Sequence, residues 1–238
     1  MYSQSPITKK SYEIPDEGAK DSIKKFLDHN AKNKVVVVQG LGFVGYAMAL
    51  VVANAKTNYA VIGVDLPNED SFWKVASIND GELPLTSSDK KLVDYSKNAQ
   101  RRGNFYATHD EYAYQVADVI IIDINLDVEK SSSEQKRLNG YTVDLSSFTN
   151  SIARVIENCK QDALILLEST VPPGFCSKII LPLAEKIFLE RGLRVENLKI
   201  AHSYERVMPG PDYIDSIENF YRVYSGTNEK SAKAAEKF

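Results

Sequence analysis

Four consecutive valines, Val35 to Val38, lead through Gln39 into Gly40-Leu41-Gly42-Phe43-Val44-Gly45, and an apolar stretch rich in Ala, Val, Met and Leu follows to Ala55. An unbroken β-branched run is the pattern of a parallel strand covered on both faces. Glycines at these spacings, set between a strand and a helix, allow a tight turn at Gly40, close approach of backbone N–H groups to a ligand at Gly42, and close helix–strand packing at Gly45. An anion placed there meets the positive end of the helix dipole. Phe43 and Val44 fall in the first helical turn and are grouped with the three glycines as candidate cofactor-binding residues.

Strand and helix patterns then alternate. Further strands are expected at Tyr59 to Val64, Phe105 to Ala107, Val119 to Ile122, Ala163 to Leu167 and Leu198 to Ala201. Helices are expected at Leu145 to Cys159 and Phe175 to Arg191, the latter kinked at Pro182. The stretch with Pro67, Asp80-Gly81 and Pro84 reads as containing loops, and Glu129 to Gly140, serine-rich and charged, reads as an exposed loop. This alternation predicts an α/β fold: a doubly wound, mostly parallel Rossmann-type sheet with helices on both faces. Residues 1–33 form an N-terminal extension with a short amphipathic helix over Asp16 to His29, residues 34–227 the main domain, and residues 228–238 the start of a further, connecting helix.

Such a fold calls for an acidic residue at the end of the second strand, about 20 positions past the glycines, to accept from a ribose hydroxyl. Asp65 stands there, twenty positions past Gly45. A carboxylate repels the 2′-phosphate of NADP, and the following Leu66 and Pro67 supply no arginine to offset it, so NAD is the expected cofactor. The chain has 29 Lys+Arg against 32 Asp+Glu, a formal net charge of −3, which gives no pull toward nucleic acid or anionic lipid. No apolar run approaches the ~18 residues that span a bilayer. Two cysteines, Cys159 and Cys176, lack zinc-site spacing and do not make a disulfide framework, which points to a reducing compartment and a cytoplasmic location. No metal site is expected.

Two further segments place polar side chains at strand ends: Glu168-Ser169-Thr170-Val171-Pro172-Pro173-Gly174, and His202 to Gly210, which contains Glu205-Arg206-Val207-Met208-Pro209-Gly210. With Ile78-Asn79-Asp80-Gly81 and Pro84, they make the chain from about Lys34 to Gly226 resemble the UDP-glucose/GDP-mannose dehydrogenase family, nearest in motif to its members acting on UDP-N-acetylhexosamines. The resemblance implies oxidation of C6 of a UDP-sugar to the uronic acid with two NAD in succession and a covalent thiohemiacetal on a cysteine. It places Thr170 near the nicotinamide, Glu205 beside the reacting sugar as an acid/base or water-orienting group, and Arg206 on substrate. His202 reads as a packed strand-end histidine.

The match departs from the family at Ile124-Asn125-Leu126-Asp127, where a Val-Pro-Thr-Pro loop is usual, although Asn125 is retained as a cofactor contact, and at Tyr204, which replaces a proline. The family's nucleophilic cysteine belongs to a later region, so Cys159 and Cys176 read as structural thiols. The chain alone is expected to bind NAD without completing the oxidation, as a domain of a longer protein that forms a homodimer or larger assembly. Two other readings share the first fingerprint: a 3-hydroxyacid-type dehydrogenase, against which Glu205-Arg206-x-x-Pro209-Gly210 argues, and a non-catalytic NAD-sensing module.

Overall fold

The computed structural model describes residues 1–126, 128–132, 138–143 and 145–238. It opens with an antiparallel hairpin, β1 (Tyr2–Gln4) and β2 (Ser11–Glu13), then α1 (Lys20–His29). The core unit follows as β3 (Lys34–Gln39), α2 (Phe43–Asn54) and β4 (Tyr59–Val64), and then α3 (Phe72–Asn79), α4 (Lys90–Arg102), β5 (Phe105–Thr108), α5 (Tyr112–Val116) and β6 (Val119–Ile122). A second hairpin, β7 (Val128–Ser132) and β8 (Leu138–Val143), precedes α6 (Ser146–Asn158), β9 (Leu164–Leu167) and α7 (Leu181–Glu190). The chain finishes with β10 (Lys199–Ser203), α8 (Tyr213–Glu218), β11 (Tyr224–Gly226) and α9 (Glu229–Lys237).

Seven strands form one sheet in the order β11-β10-β9-β6-β3-β4-β5, parallel except for β11. Strand order reverses between β3 and β6, the switch point at which open α/β sheets bind ligands beyond their carboxyl ends. Register brings those ends level: Gln39 faces Val64 on one side and Ile122 on the other, and Ile122 in turn faces Leu167. Alternation along β3 sends Val36 and Val38 into a core shared with α2 and α3, and Val35 and Val37 into a second core shared with α6 and α7. Both faces of the sheet are therefore covered, as the valine run requires.

Several expectations are corrected. The polar stretch after Asp65 contains loops at Pro67 and from Gly81 past Pro84, as expected, and two helices besides; the buried stripe of α4 is only Leu92, Ser96 and Ala99, too sparse to show a period. Backbone pairing of Val128 with Val143 and Glu129 with Thr142 makes a hairpin of a segment that its serines and charges mark as a loop, consistent with the strand preference of Tyr141, Thr142 and Val143. The part of that stretch covering residues 133–137 lies outside the described residues. Phe175 to Glu190 is helical, as expected: Cys176–Ile180 is a widened π-type turn that runs directly into α7, and Pro182 follows it in the first turn of α7. The first helix begins at Lys20 rather than Asp16, leaving Asp16 to Ala19 as a connecting segment. No helix among the described residues is long and apolar enough to cross a membrane.

Candidate functional site

The turn after β3 is shaped by what its glycines exclude. Gly40 has φ +94°, and a Cβ there would lie 2.4 Å from the Asp123 carbonyl oxygen; at Gly45 a Cβ would lie 1.8 Å from the Gly40 carbonyl oxygen. Gly42 differs, because nothing stands within 4 Å of a Cβ built on it. It is the N-cap of α2, in an extended conformation, with no side chain capping the helix. Gly42 and Phe43 are exposed and Val44 is half-buried, so the first-turn N–H groups open onto free space. This open, uncapped helix start beside a cradle closed to side chains fits the pyrophosphate of a dinucleotide.

A cavity of about 840 Å³ begins at Gly40 and extends past Asp65, Leu66 and Asn125 to His109, Tyr114 and Arg154, within the ~300–1,000 Å³ range of cofactor-sized sites. Asp65 Oδ2 accepts from Leu41 N–H at 3.1 Å, and Oδ1 accepts from Leu66 N–H at 2.8 Å. The residues directly after Asp65 carry no arginine. The structure supplies a cation nine residues away, because α3 carries Lys74 back so that its Nζ lies 2.5 Å from Asp65 Oδ2.

On the other side of the switch point lies an acidic cluster. Glu168, at the end of β9, is 4% exposed and pairs through Oε1 with Arg222 Nη1 at 2.7 Å. Asp123 follows β6, beneath Gly45, and its Oδ2 and the Glu168 Oε2 are buried without a hydrogen-bond partner among the described residues. Burial pushes both carboxyls up. The charges of Glu168 and Glu205 raise Asp123 further, while Arg222 pulls Glu168 back and Glu205 raises it. Tyr213 on α8 donates its hydroxyl to the Phe43 carbonyl at the start of α2, and burial, with the charges of Glu205 and Asp123 behind it, raises its pKa. Asp123, Arg222 and Tyr213 were not singled out from the sequence; the only signal was an aspartate directly after three isoleucines.

Of the residues expected to act together, Gly40, Asp65 and Asn125 line the large cavity, whereas Gly42, Phe43, Val44, Gly45, Thr170, Glu205 and Arg206 do not. Thr170 is exposed just past β9. Glu205 accepts from Val207 N–H within its own loop and sits close enough to the acidic cluster to perturb it. Arg206 is turned away, donating to the Tyr221 carbonyl with its guanidinium 5.8 Å from the Phe220 ring centre. His202 Nε2 lies 3.4 Å from the Ser169 carbonyl. Burial raises both thiols, that of Cys176 to about 11, so neither favours the thiolate.

A doubly wound sheet, a glycine turn opening on a bare helix N-terminus at its switch point and an acid ending the adjacent strand define a dinucleotide-binding domain. The chain belongs to the UDP-glucose/GDP-mannose dehydrogenase family, whose NAD binding domain matches residues 33–238. Among its relatives, the UDP-N-acetyl-D-mannosamine dehydrogenase of Pyrococcus horikoshii is 30% identical over 204 residues, covering 85% of this chain and 43% of that protein. The enzyme of the same description from Methanococcus aeolicus is 32% identical, covering 86% and 41%. The crystal structure of NDP-N-acetyl-D-galactosaminuronic acid dehydrogenase from Methanosarcina mazei Go1 superposes with a TM-score of 0.70 at 28% identity, over 90% of this chain and 43% of that one. The chain thus spans less than half the length of these relatives.

Proposed function

We propose that this domain serves an NAD-dependent 6-dehydrogenase that oxidises a UDP-N-acetylhexosamine to its uronic acid. The observation that carries the reading is that Gly40 and Asp65 line one cavity, with the bare start of α2 two residues further along the same turn, in a chain whose relatives are named for UDP-N-acetyl-D-mannosamine. Gly40, Gly42, Phe43, Val44 and Gly45 would hold the pyrophosphate and Asp65 the adenosine ribose, with Asn125 on the cavity wall. NAD held there would supply the hydride acceptor for the carbinol carbon of the sugar.

The chain's own residues have the remaining tasks. Thr170, exposed at the carboxyl end of β9, positions substrate or water, and Glu205 takes or orients a proton at the reacting hydroxyl. Glu205 must leave its contact with Val207 N–H to do so, and Arg206 must likewise turn from Tyr221 to reach a substrate phosphate. Neither Cys159 nor Cys176 serves as the nucleophile of the second oxidation; the chain supplies the cofactor half of the chemistry. The test is NADH formation by the native protein on UDP-N-acetylmannosamine, UDP-N-acetylglucosamine, UDP-glucose and GDP-mannose. Preference for an N-acetylhexosamine supports the reading, and preference for UDP-glucose or GDP-mannose overturns the substrate assignment.

A further inference from the structure

Residues 1–32 precede the stretch that matches the family, yet they are fastened to the cofactor side of the fold. Ser3, fully buried, donates through Oγ to the Glu69 carbonyl at 2.6 Å and accepts from Trp73 N–H at 2.9 Å, which pins the first hairpin to the start of α3. Ile14 joins the core, and on the far side α1 is anchored by the fully buried Ile23 and by Phe26 stacked on Tyr106 at 5.7 Å. Between these anchors Pro15 to Gly18 run along the cavity that contains Asp65. The Glu17 carbonyl lies 3.1 Å from His109 Nε2, and Gly18 packs on the Asp110 carboxylate. The segment is a wall held at both ends.

Charge then distinguishes the members of this rim. Asp65 is neutralised by Lys74, and Glu111 pairs with Arg154 at 2.8 Å. The side chains of Asp16, Glu17 and Asp110 have no ion-pair partner among the described residues; Asp110 accepts from Tyr112 N–H, and Asp16 and Glu17 are exposed. An Asp65 locked to an ammonium cannot by its net charge turn away a 2′-phosphate, so discrimination against NADP needs another source of negative potential. We propose that Asp16 and Glu17 close the adenosine end of the dinucleotide site and supply that potential, making the N-terminal arm a cofactor-specificity element. This rests on the reading of the cavity as the NAD site.

The test is calorimetric titration of the full chain and of the double variant Asp16→Lys/Glu17→Lys with NAD and with NADP. Both side chains are exposed, so the variant is expected to fold, and circular dichroism checks that it does. The expected result is a preference for NAD in the wild type that narrows by about tenfold or more in the variant, mainly through tighter NADP binding, and narrows less at high salt. A ratio unchanged within about twofold would overturn the arm's role while leaving the NAD site intact. Absence of NAD binding by the wild type would overturn the site and the arm together.

Discussion

Arg222 Nη1 lies 2.7 Å from Glu168 Oε1, and this guanidinium is the cation set against a pair of buried carboxyls, those of Glu168 and Asp123. Removing one partner of such a pair is more damaging than removing both. Arg222→Leu is expected to destabilise the chain by about 3 kcal/mol, and Arg222→Leu combined with Glu168→Leu by clearly less. Urea titrations of both variants measure this. A single variant as stable as the wild type would mean that the pair has little weight in the fold.

The same cluster sets a pH dependence. Asp123 and Glu168 have folded pKa values raised chiefly by burial, so the folded state holds their protons more firmly than the unfolded state. Their favourable contribution is complete below the ordinary carboxylate range near ~4 and is lost as pH rises through the folded values. Asp123→Asn removes the ionisation without removing the shape. It is expected to gain about 1 kcal/mol relative to wild type at neutral pH and to flatten the fall of Tm with rising pH. Melting curves from pH 5 to pH 8 are the check, and parallel profiles for the two proteins would refute the assignment.

At the glycine turn, Gly45→Ala puts a methyl group into a backbone carbonyl, because a Cβ there would be 1.8 Å from the Gly40 oxygen. The turn must open or the helix must move, at a cost of about 2 kcal/mol or more. Gly42→Ala meets nothing and loses no more than about 1 kcal/mol, the scale of a poorer N-cap. Thermal unfolding of the two variants separates a packing glycine from a ligand-facing one.

Glu205→Gln keeps size and removes the proton acceptor. On the proposed dehydrogenase reading, kcat of the native protein is expected to fall by about 10²–10⁴ with NAD affinity unchanged. A loss of NAD binding instead would place Glu205 in the cofactor site, and an unchanged kcat would remove it from the chemistry.

What was legible in the sequence was whatever a local pattern encodes. Val35 to Val38 can be buried on both faces only inside a sheet, and Gly40 and Gly45 mark a backbone that side chains cannot enter, with Gly42 open between them. Asp65 was found because strand length and turn length fix its distance from the glycines. Its partner Lys74 was not, since the pairing depends on α3 turning back over the strand end, which no spacing rule supplies. The antiparallel β11 escaped notice because Tyr224-Ser225-Gly226 is too short and too polar to show a period; it is held by pairing with β10 and by close packing of Gly226 on Ala232. The hairpin at the N-terminus is likewise secured from outside, by Ser3 on α3.

The bare start of α2 is the proposed seat of the dinucleotide pyrophosphate. Its most direct test is isothermal titration of the wild-type chain and Gly42→Ala with NAD. Saturable binding by the wild type, weakened by about tenfold or more in a variant that remains folded, is the predicted result. Equal affinity in the two proteins, or no binding by the wild type, would contradict it.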